Sequence, residues 1–201
     1  MITKQKIIRI ILIIFGSALM GLSIDFFVKA NLGLDPLSLF IVGVFGKFGI
    51  SLGSGSQILM VLILIFLLIV DKKRVGIGSF LNGLSVGAFV KIFAPYMNYF
   101  NDSLFNRCIF LLLGFIFMGA GIGMYVSTNL GEAGIDALMM YISEKINKNV
   151  NITRVVIDIL LSLIGFIFGG SLGIATILSM IVNGYIIQIT INIINKIKIL
   201  E

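Results

Sequence analysis

The residues best suited to chemistry in this chain are the acids Asp25, Asp35, Glu132, Asp136 and Asp158, set in or beside strongly apolar stretches. A carboxylate held charged in the middle of a membrane costs on the order of 2.5–3.5 kcal/mol on insertion scales, so each must face a cavity, pair with a cation or carry a proton. Few bases lie equally deep. Lys29 follows Asp25 by one turn and Arg154 precedes Asp158 by one, spacings that allow ion pairs along a helix. Acids in this setting suit an amine-bearing or cationic solute, or the carriage of protons. Gln57, Asn82, Asn183 and Gln188 interrupt other apolar runs, and the first three join Asp25 and Asp158 as candidates for coupling or for lining a cavity.

Other chemistries lack their residues. The chain has no His and a single Cys, Cys108, so imidazole or thiolate sites for zinc or haem have almost no ligands, and no cofactor or metal is expected. Without His the usual general base near neutral pH is missing, and hydrolysis would rest on carboxylates alone. No Walker-type Gly-Lys-Ser/Thr loop is present, which removes ATPase activity in this chain. No enzymatic activity is expected.

The elements that must position these acids are membrane helices. Of 201 residues 59% are apolar and 12% charged, with a mean hydropathy of +1.15, against about 45–50% and about 25% in soluble domains. Stretches such as 7–28, 108–126 and 172–193 carry almost no charge over the roughly 20 residues that a helix needs to cross a bilayer. The segment after Lys4, Lys6 and Arg9 has no small-residue cleavage site and is expected to stay as a helix. The net charge of +6 orients loops in such a protein, and no nucleic-acid partner is expected.

The chain repeats itself. Residues 16–33 and 114–131 align without gaps, with identities at Gly16/Gly114, Met20/Met118, Gly21/Gly119, Ile24/Ile122, Val28/Val126 and the run Asn31-Leu32-Gly33 against Asn129-Leu130-Gly131. Gly76-Ile77-Gly78-Ser79 matches Gly173-Ile174-Ala175-Thr176 at nearly the same offset, followed by Leu81/Leu178, Gly87/Gly184 and Ile92/Ile189. The expectation is one membrane domain over 1–201, with repeat 1 at 7–95 and repeat 2 at 106–195.

Each half reads as a long helix, a Gly-rich break, a short helix, an apolar helix, a turn and another long helix. The short ones, Leu37 to Phe45 and Ala137 to Ile142, would cover roughly 14 and 9 Å at 1.5 Å per residue, too little to span. The predicted fold is all-α: six transmembrane helices in two inverted three-helix repeats, each with a short broken or re-entrant helix. Both termini then lie in the cytoplasm. Lys4, Lys6, Arg9, Lys72, Lys73, Arg74, Lys145, Lys148, Arg154, Lys196 and Lys198 fall inside, against Lys29, Lys47, Lys91 and Arg107 outside. Eight crossings would divide the charges as unequally, so the choice rests on helix length and on the tight Asp71-Lys72-Lys73-Arg74 cluster.

The breaks are the expected site. Asp35 caps a new helix with Pro36 in its first turn, and Gly33 and Gly131 suit helix C-terminal positions. Paired breaks in inverted halves point to a transporter site, because unwound backbone and helix N-termini hold a solute where lipid does not. The candidate binding residues are Asn31, Asp35, Ser38, Asn129, Glu132 and Asp136; capped loops at the water interface are the plain alternative. The pairs Gly83/Gly87, Gly119/Gly123 and Gly165/Gly169 suit close helix packing inside the bundle more than dimerisation.

Leu32-Gly33-Leu34-Asp35-Pro36, Gly76-Ile77-Gly78-Ser79, Leu130-Gly131-Glu132-Ala133-Gly134-Ile135-Asp136 and Gly173-Ile174-Ala175-Thr176 together resemble the YczE/YyaS/YitT-like family of bacterial multispanning inner-membrane proteins. The resemblance covers nearly the whole chain; the second break lacks the proline, and its turn lacks the second glycine. It implies a multi-pass protein of the bacterial cytoplasmic membrane, in a family some of whose members are regarded as transporters, and it carries no catalytic residue.

The expected function is a small inverted-repeat secondary permease for a small organic solute, amine-bearing or proton-coupled. Two rivals stand beside it: a substrate-binding or accessory membrane subunit of a larger transporter, and a non-transporting scaffold that meets partners through Lys145 to Arg154. The expected partners are the lipid bilayer and a small solute, with a second copy of the chain or an accessory membrane protein as further candidates.

Overall fold

The computed structural model describes residues 4–100 and 103–197; Lys198, counted above on the inner side, lies outside them. All regular structure among the described residues is helical: α1 (Lys4–Ala30), α2 (Pro36–Gly46), α3 (Leu52–Val70), α4 (Ile77–Phe93), α5 (Leu104–Ser127), α6 (Gly134–Lys145), α7 (Val150–Ile167) and α8 (Ile174–Ile197). Six of these, α1, α3, α4, α5, α7 and α8, are long and apolar enough to cross a membrane, α4 together with the 3-10 stretch Ala94–Tyr99 that extends it. Helix starts follow the capping residues: Ser51, Ser103 and Asn149 accept from the backbone N–H of Ser54, Asn106 and Asn151.

The short helices α2 and α6 have 11 and 12 residues, about 16–18 Å at the α-helical rise. The second is longer than its apolar run because Gly134 opens it and Ser143-Glu144-Lys145, expected to end it, form its last turn. Each returns to the side it came from. Glu132, just before α6, donates its N–H to the Arg74 carbonyl at 3.1 Å, and Glu144, near the end of α6, ion-pairs with the Arg74 guanidinium. Leu32, before α2, accepts from Ala175 N at 3.0 Å, and Lys47, after α2, sits 4.8 Å from the Phe168 ring centre. The break before α2 and the C-terminal end of α2 therefore both meet the α7–α8 turn, and the break before α6 and the C-terminal end of α6 both meet the α3–α4 turn.

Helices α1 and α5 form the central pair and run antiparallel. Arg9 Nη1 donates to Thr128 O at 2.7 Å, Ser23 Oγ to Gly114 O at 2.6 Å, and Arg107 Nε to Ala30 O at 2.7 Å. The two arginines sit at opposite ends of the pair and satisfy C-terminal carbonyls that lipid would leave bare. Between them Gly16 and Gly121 meet so closely that a Cβ on Gly16 would lie 2.7 Å from the Gly121 oxygen. Phe27, Ile24, Met118 and Phe115 fill the core around this contact.

Lipid is as apolar as leucine, so no hydrophobic force drives helix to helix, and small residues that allow close packing do the work. Gly83 and Gly87 of α4 face Met60, Gly53 and Gln57 of α3; Gly119 and Gly123 of α5 face Ile186 and Thr190 of α8; Gly165 of α7 faces Leu39 of α2. A Cβ on Gly169 would meet nothing within 4 Å. All of these glycines but Gly169 thus pack inside the chain, while residues such as Ile69, Ile167 and Phe166 are exposed and form the apolar outer surface. Corresponding pairs pack unequally: α3 lies along α4, whereas α7 touches α8 at few positions.

Candidate functional site

Each break begins with an asparagine in the left-handed region, Asn31 at φ 49° and Asn129 at φ 51°. Asparagine is the non-glycine residue that tolerates this conformation best, so these two residues end α1 and α5. Gly33 and Gly131 follow at φ 101° and φ 120°, and each is clasped by the turn of the other half. Gly78 N donates to Leu130 O at 2.8 Å, mirroring the Ala175–Leu32 bond. Ser79 Oγ donates to Glu132 O at 2.6 Å, and Tyr125 OH to Gly131 O at 2.7 Å.

A short helix follows each break. Asp35 caps α2, its Oδ2 accepting from Ser38 N at 3.2 Å, with Pro36 in the first turn. In the second break Ala133 holds the capping position without a side-chain bond, and the acid is Asp136 in the first turn of α6.

Helices α2 and α6 both start at one cavity of about 100 Å³, several times the roughly 10–15 Å³ that admits one water. Its lining takes matched positions from the two halves. At the 98-residue offset of the breaks stand Met20/Met118, Ile24/Ile122, Asp35/Ala133, Ser38/Asp136, Ser56/Arg154 and Met60/Asp158, and at the 97-residue offset of the turns Asn82/Ser179 and Val86/Asn183. The positions match but the chemistry does not. The first half supplies one acid, Asp35, while the second supplies Asp136, Asp158 and Arg154.

Arg154 bridges the two acids of its own half, Nη1 lying 3.5 Å from Asp136 Oδ1 and Nε 4.0 Å from Asp158 Oδ2. Asn82 donates to Ser17 Oγ at 3.0 Å. Two oxygens of the lining have no hydrogen-bond partner: Asp35 Oδ1 and Asn183 Oδ1, on side chains only 7% and 8% exposed. Buried polar atoms are almost always satisfied, so two unsatisfied acceptors at one cavity favour a bound donor.

Of the residues singled out in the sequence, the cavity joins Asp35, Ser38, Asp136, Asn82, Asp158 and Asn183. Asn31 lines a separate open pocket with Asp25, Lys29, Asn98 and Arg107, where Asp25 Oδ2 is buried without a partner. Asn129 and Glu132 line another with Lys73 and Arg74, which reaches the central cavity's wall at Ala133 and Asp136. Gln57 ties α3 to α4, accepting from Lys91 Nζ at 2.6 Å and donating to Leu84 O at 2.8 Å. Gln188 bonds Asn192 of its own helix at 3.0 Å.

Sequence reasoning treated Arg154 as the partner of Asp158 alone and left out Ser56 and Ser179. Carrying the 98-residue offset on into α3 and α7 would have set Ser56 against Arg154 and Met60 against Asp158. Arg74 was counted only as an orienting charge, yet it contacts Asp71 at 2.9 Å, both Glu132 oxygens at 3.3 Å, and Glu144. Glu144 foremost, opposed by burial and helped by Glu132 and Asp71, holds its guanidinium above the ordinary pKa.

Three relatives align over most of this arrangement. The chain is 29% identical over 96% of its length to an "Uncharacterized protein" of Haemophilus influenzae, of which 87% is covered. It is 32% identical over 85% of its length to the "Uncharacterized membrane protein YczE" of Bacillus subtilis, covering 79% of that protein. It is 24% identical over 90% of its length to YyaS of the same organism, covering 91%. No solved structure matches. The resemblance carried by the two breaks and the two glycine turns thus extends along the chain, and with residues 7–192 matching it, the protein belongs to the family of unknown function DUF6198.

Proposed function

We propose that the protein is a small secondary permease of the bacterial cytoplasmic membrane, built from two inverted repeats that share one solute site. The observation that carries this reading is the single cavity lined by matched positions of both halves, where two buried acceptor oxygens lack partners. Re-entrant helices whose N-termini meet at such a cavity are the arrangement by which inverted-repeat transporters hold solutes.

The antiparallel α1–α5 pair supports the inversion. Its Arg9–Thr128 and Arg107–Ala30 contacts exchange with one another when each residue is moved by 98 positions. The unequal packing of α3 on α4 and of α7 on α8 fits alternating access, in which equivalent units adopt different poses around a common site. Placing the Arg74 side, with most of the Lys and Arg, in the cytoplasm follows the positive-inside rule and puts both termini there.

The solute of this reading is small and organic, and the cavity's three carboxylates against one guanidinium suit an amine-bearing solute or proton coupling. The function is transport and not catalysis. Uptake by the purified protein alone in liposomes tests it. Flux of a solute without any partner is the expected result, and Asp35→Asn or Asp136→Asn is expected to reduce it about tenfold or more, the weight of a charge-assisted hydrogen bond or two. Binding without flux would favour an accessory subunit, and neither would favour a scaffold. Unchanged uptake in both variants would remove the two acids from the site.

A further inference from the structure

We infer that the cavity selects a monoamine cation that carries no carboxylate, its ammonium held by Asp35 and Asn183 and its hydrocarbon body lying against Met60, Met118 and Met139. The inference rests on the reading of this cavity as the solute site and narrows its substrate class.

The unsatisfied groups set the polarity of the ligand. Asp35 Oδ1 and Asn183 Oδ1 are both acceptors, drawn from the first break and from α8, so the ligand must bring N–H or O–H donors to meet them. Asp35 Oδ2 is already engaged by Ser38 N, which holds the carboxyl group at the cavity and leaves its second oxygen to be met. A donor that is also positively charged gains most, because hydrogen bonds to a charged group are roughly twice as strong as neutral ones.

The cation already present sets what the ligand must lack. Among the described residues Arg154 is the one base lining the cavity, and it is shared by Asp136 and Asp158. Three carboxyl groups stand against one guanidinium in the lining, and Asp158 lies within electrostatic reach of both Asp35 and Asp136. The carboxylate of an amino acid would have to compete with Asp136 and Asp158 for the one guanidinium and would be repelled by this excess. A simple amine meets only the favourable half of the site.

The rest of the lining sets the body. Apart from these groups, the hydroxyls of Ser38, Ser56 and Ser179 and the Asn82 amide, which is bonded to Ser17, the wall is aliphatic or thioether, and thioethers adapt to irregular apolar shapes and lie well against rings. A polyol or a hydrated metal ion brings more polar groups than these few side chains can meet and would leave some unpaired, at the usual cost of burial without partners.

The test is binding to the purified full-length protein in detergent near neutral pH, by calorimetry, because neutral amines leak through bilayers and obscure flux. The probes are 2-phenylethylamine, its parent L-phenylalanine and the neutral isostere 2-phenylethanol. The amine is expected to bind at least tenfold more tightly than either of the others. Asp35→Asn keeps the helix cap, since asparagine caps as well as aspartate, and is expected to weaken amine binding tenfold or more; Asn183→Leu, at a separate position, is expected to do the same. Equal or tighter binding of L-phenylalanine, amine binding unchanged in both variants, or no amine binding to the unaltered protein would each overturn the inference. Liposome uptake of some other solute alongside such a result would leave the permease reading standing, whereas absence of any flux would remove that reading itself.

Discussion

Alanine at Gly33 or at Gly131 is expected to lower the melting temperature of the purified protein sharply, or to prevent its accumulation in the membrane, while alanine at Gly184 leaves both unchanged. Gly33 and Gly131 adopt φ 101° and φ 120°, where a side chain costs on the order of 1–2 kcal/mol. Space adds a second penalty. A Cβ on Gly33 would lie 2.6 Å from both N and Cα of Gly173, and one on Gly131 2.6 Å from Gly76 N. Those neighbours are backbone and cannot swing aside, so the clasp between each break and the opposite turn must open, with a typical overpacking cost of about 1–3 kcal/mol. Together these reach a large part of a stability of about 5–15 kcal/mol.

Gly49 separates the two penalties. It has φ 70° but a Cβ there would meet nothing within 4 Å, so Gly49→Ala is expected to show the backbone strain alone. Gly184 is helical and equally open. Thermal unfolding of the four variants should therefore rank Gly184→Ala first, Gly49→Ala next, and the two break variants last. Break variants no less stable than Gly49→Ala would mean that the clasps contribute nothing.

The breaks were legible in the sequence because their signals are local. Glycine, proline and a capping acid within a few residues mark where one helix stops and another starts, and repetition at one offset marked them twice. The role of Asn31 and Asn129 was not legible in the same way: an amide side chain in a break reads equally as a ligand or as a residue chosen for its backbone, and only the left-handed φ decides. Lysine and arginine counts failed to separate six crossings from eight because both divide the charges alike; helix length separates them, since six helices are long and apolar enough to cross a membrane and α2 and α6 are not among them. Partners distant in sequence were the hardest to see. Arg154 lies 18 residues after Asp136 and Arg74 lies 58 residues before Glu132, and nothing at either position announces the other.

Replacing Arg74 with alanine is expected to loosen one mouth of the central cavity. Arg74 joins Asp71, Glu132 and Glu144, so a single side chain ties the α3–α4 turn to the second break and to the end of α6. Without it three acids are left close together, and their repulsion acts on the elements that the guanidinium held. The backbone bond from Glu132 N to Arg74 O and the Ser79–Glu132 bond survive the substitution, so the fold should persist while the mouth opens more often. The corresponding place on the other side has no such tie: Leu34 stands where the second half has Glu132, and Ser171 where the first half has Arg74. Among the described residues, one side of the cavity thus has an ion-pair cluster across its break, turn and short helix, and the other has none at the matching positions. A cysteine at Ala133, which lines both the central cavity and the pocket beside Arg74, reports on this in a Cys108→Ser background. Arg74→Ala should raise its labelling by a membrane-impermeant thiol reagent several-fold from the Arg74 side, cytoplasmic in the orientation proposed above, and high salt should narrow the difference by screening the pairs in the parent protein. Glu132→Gln should act in the same direction but less, since Asp71 and Glu144 still hold the arginine. Equal labelling in all three proteins would reduce the cluster to a structural brace with no part in access.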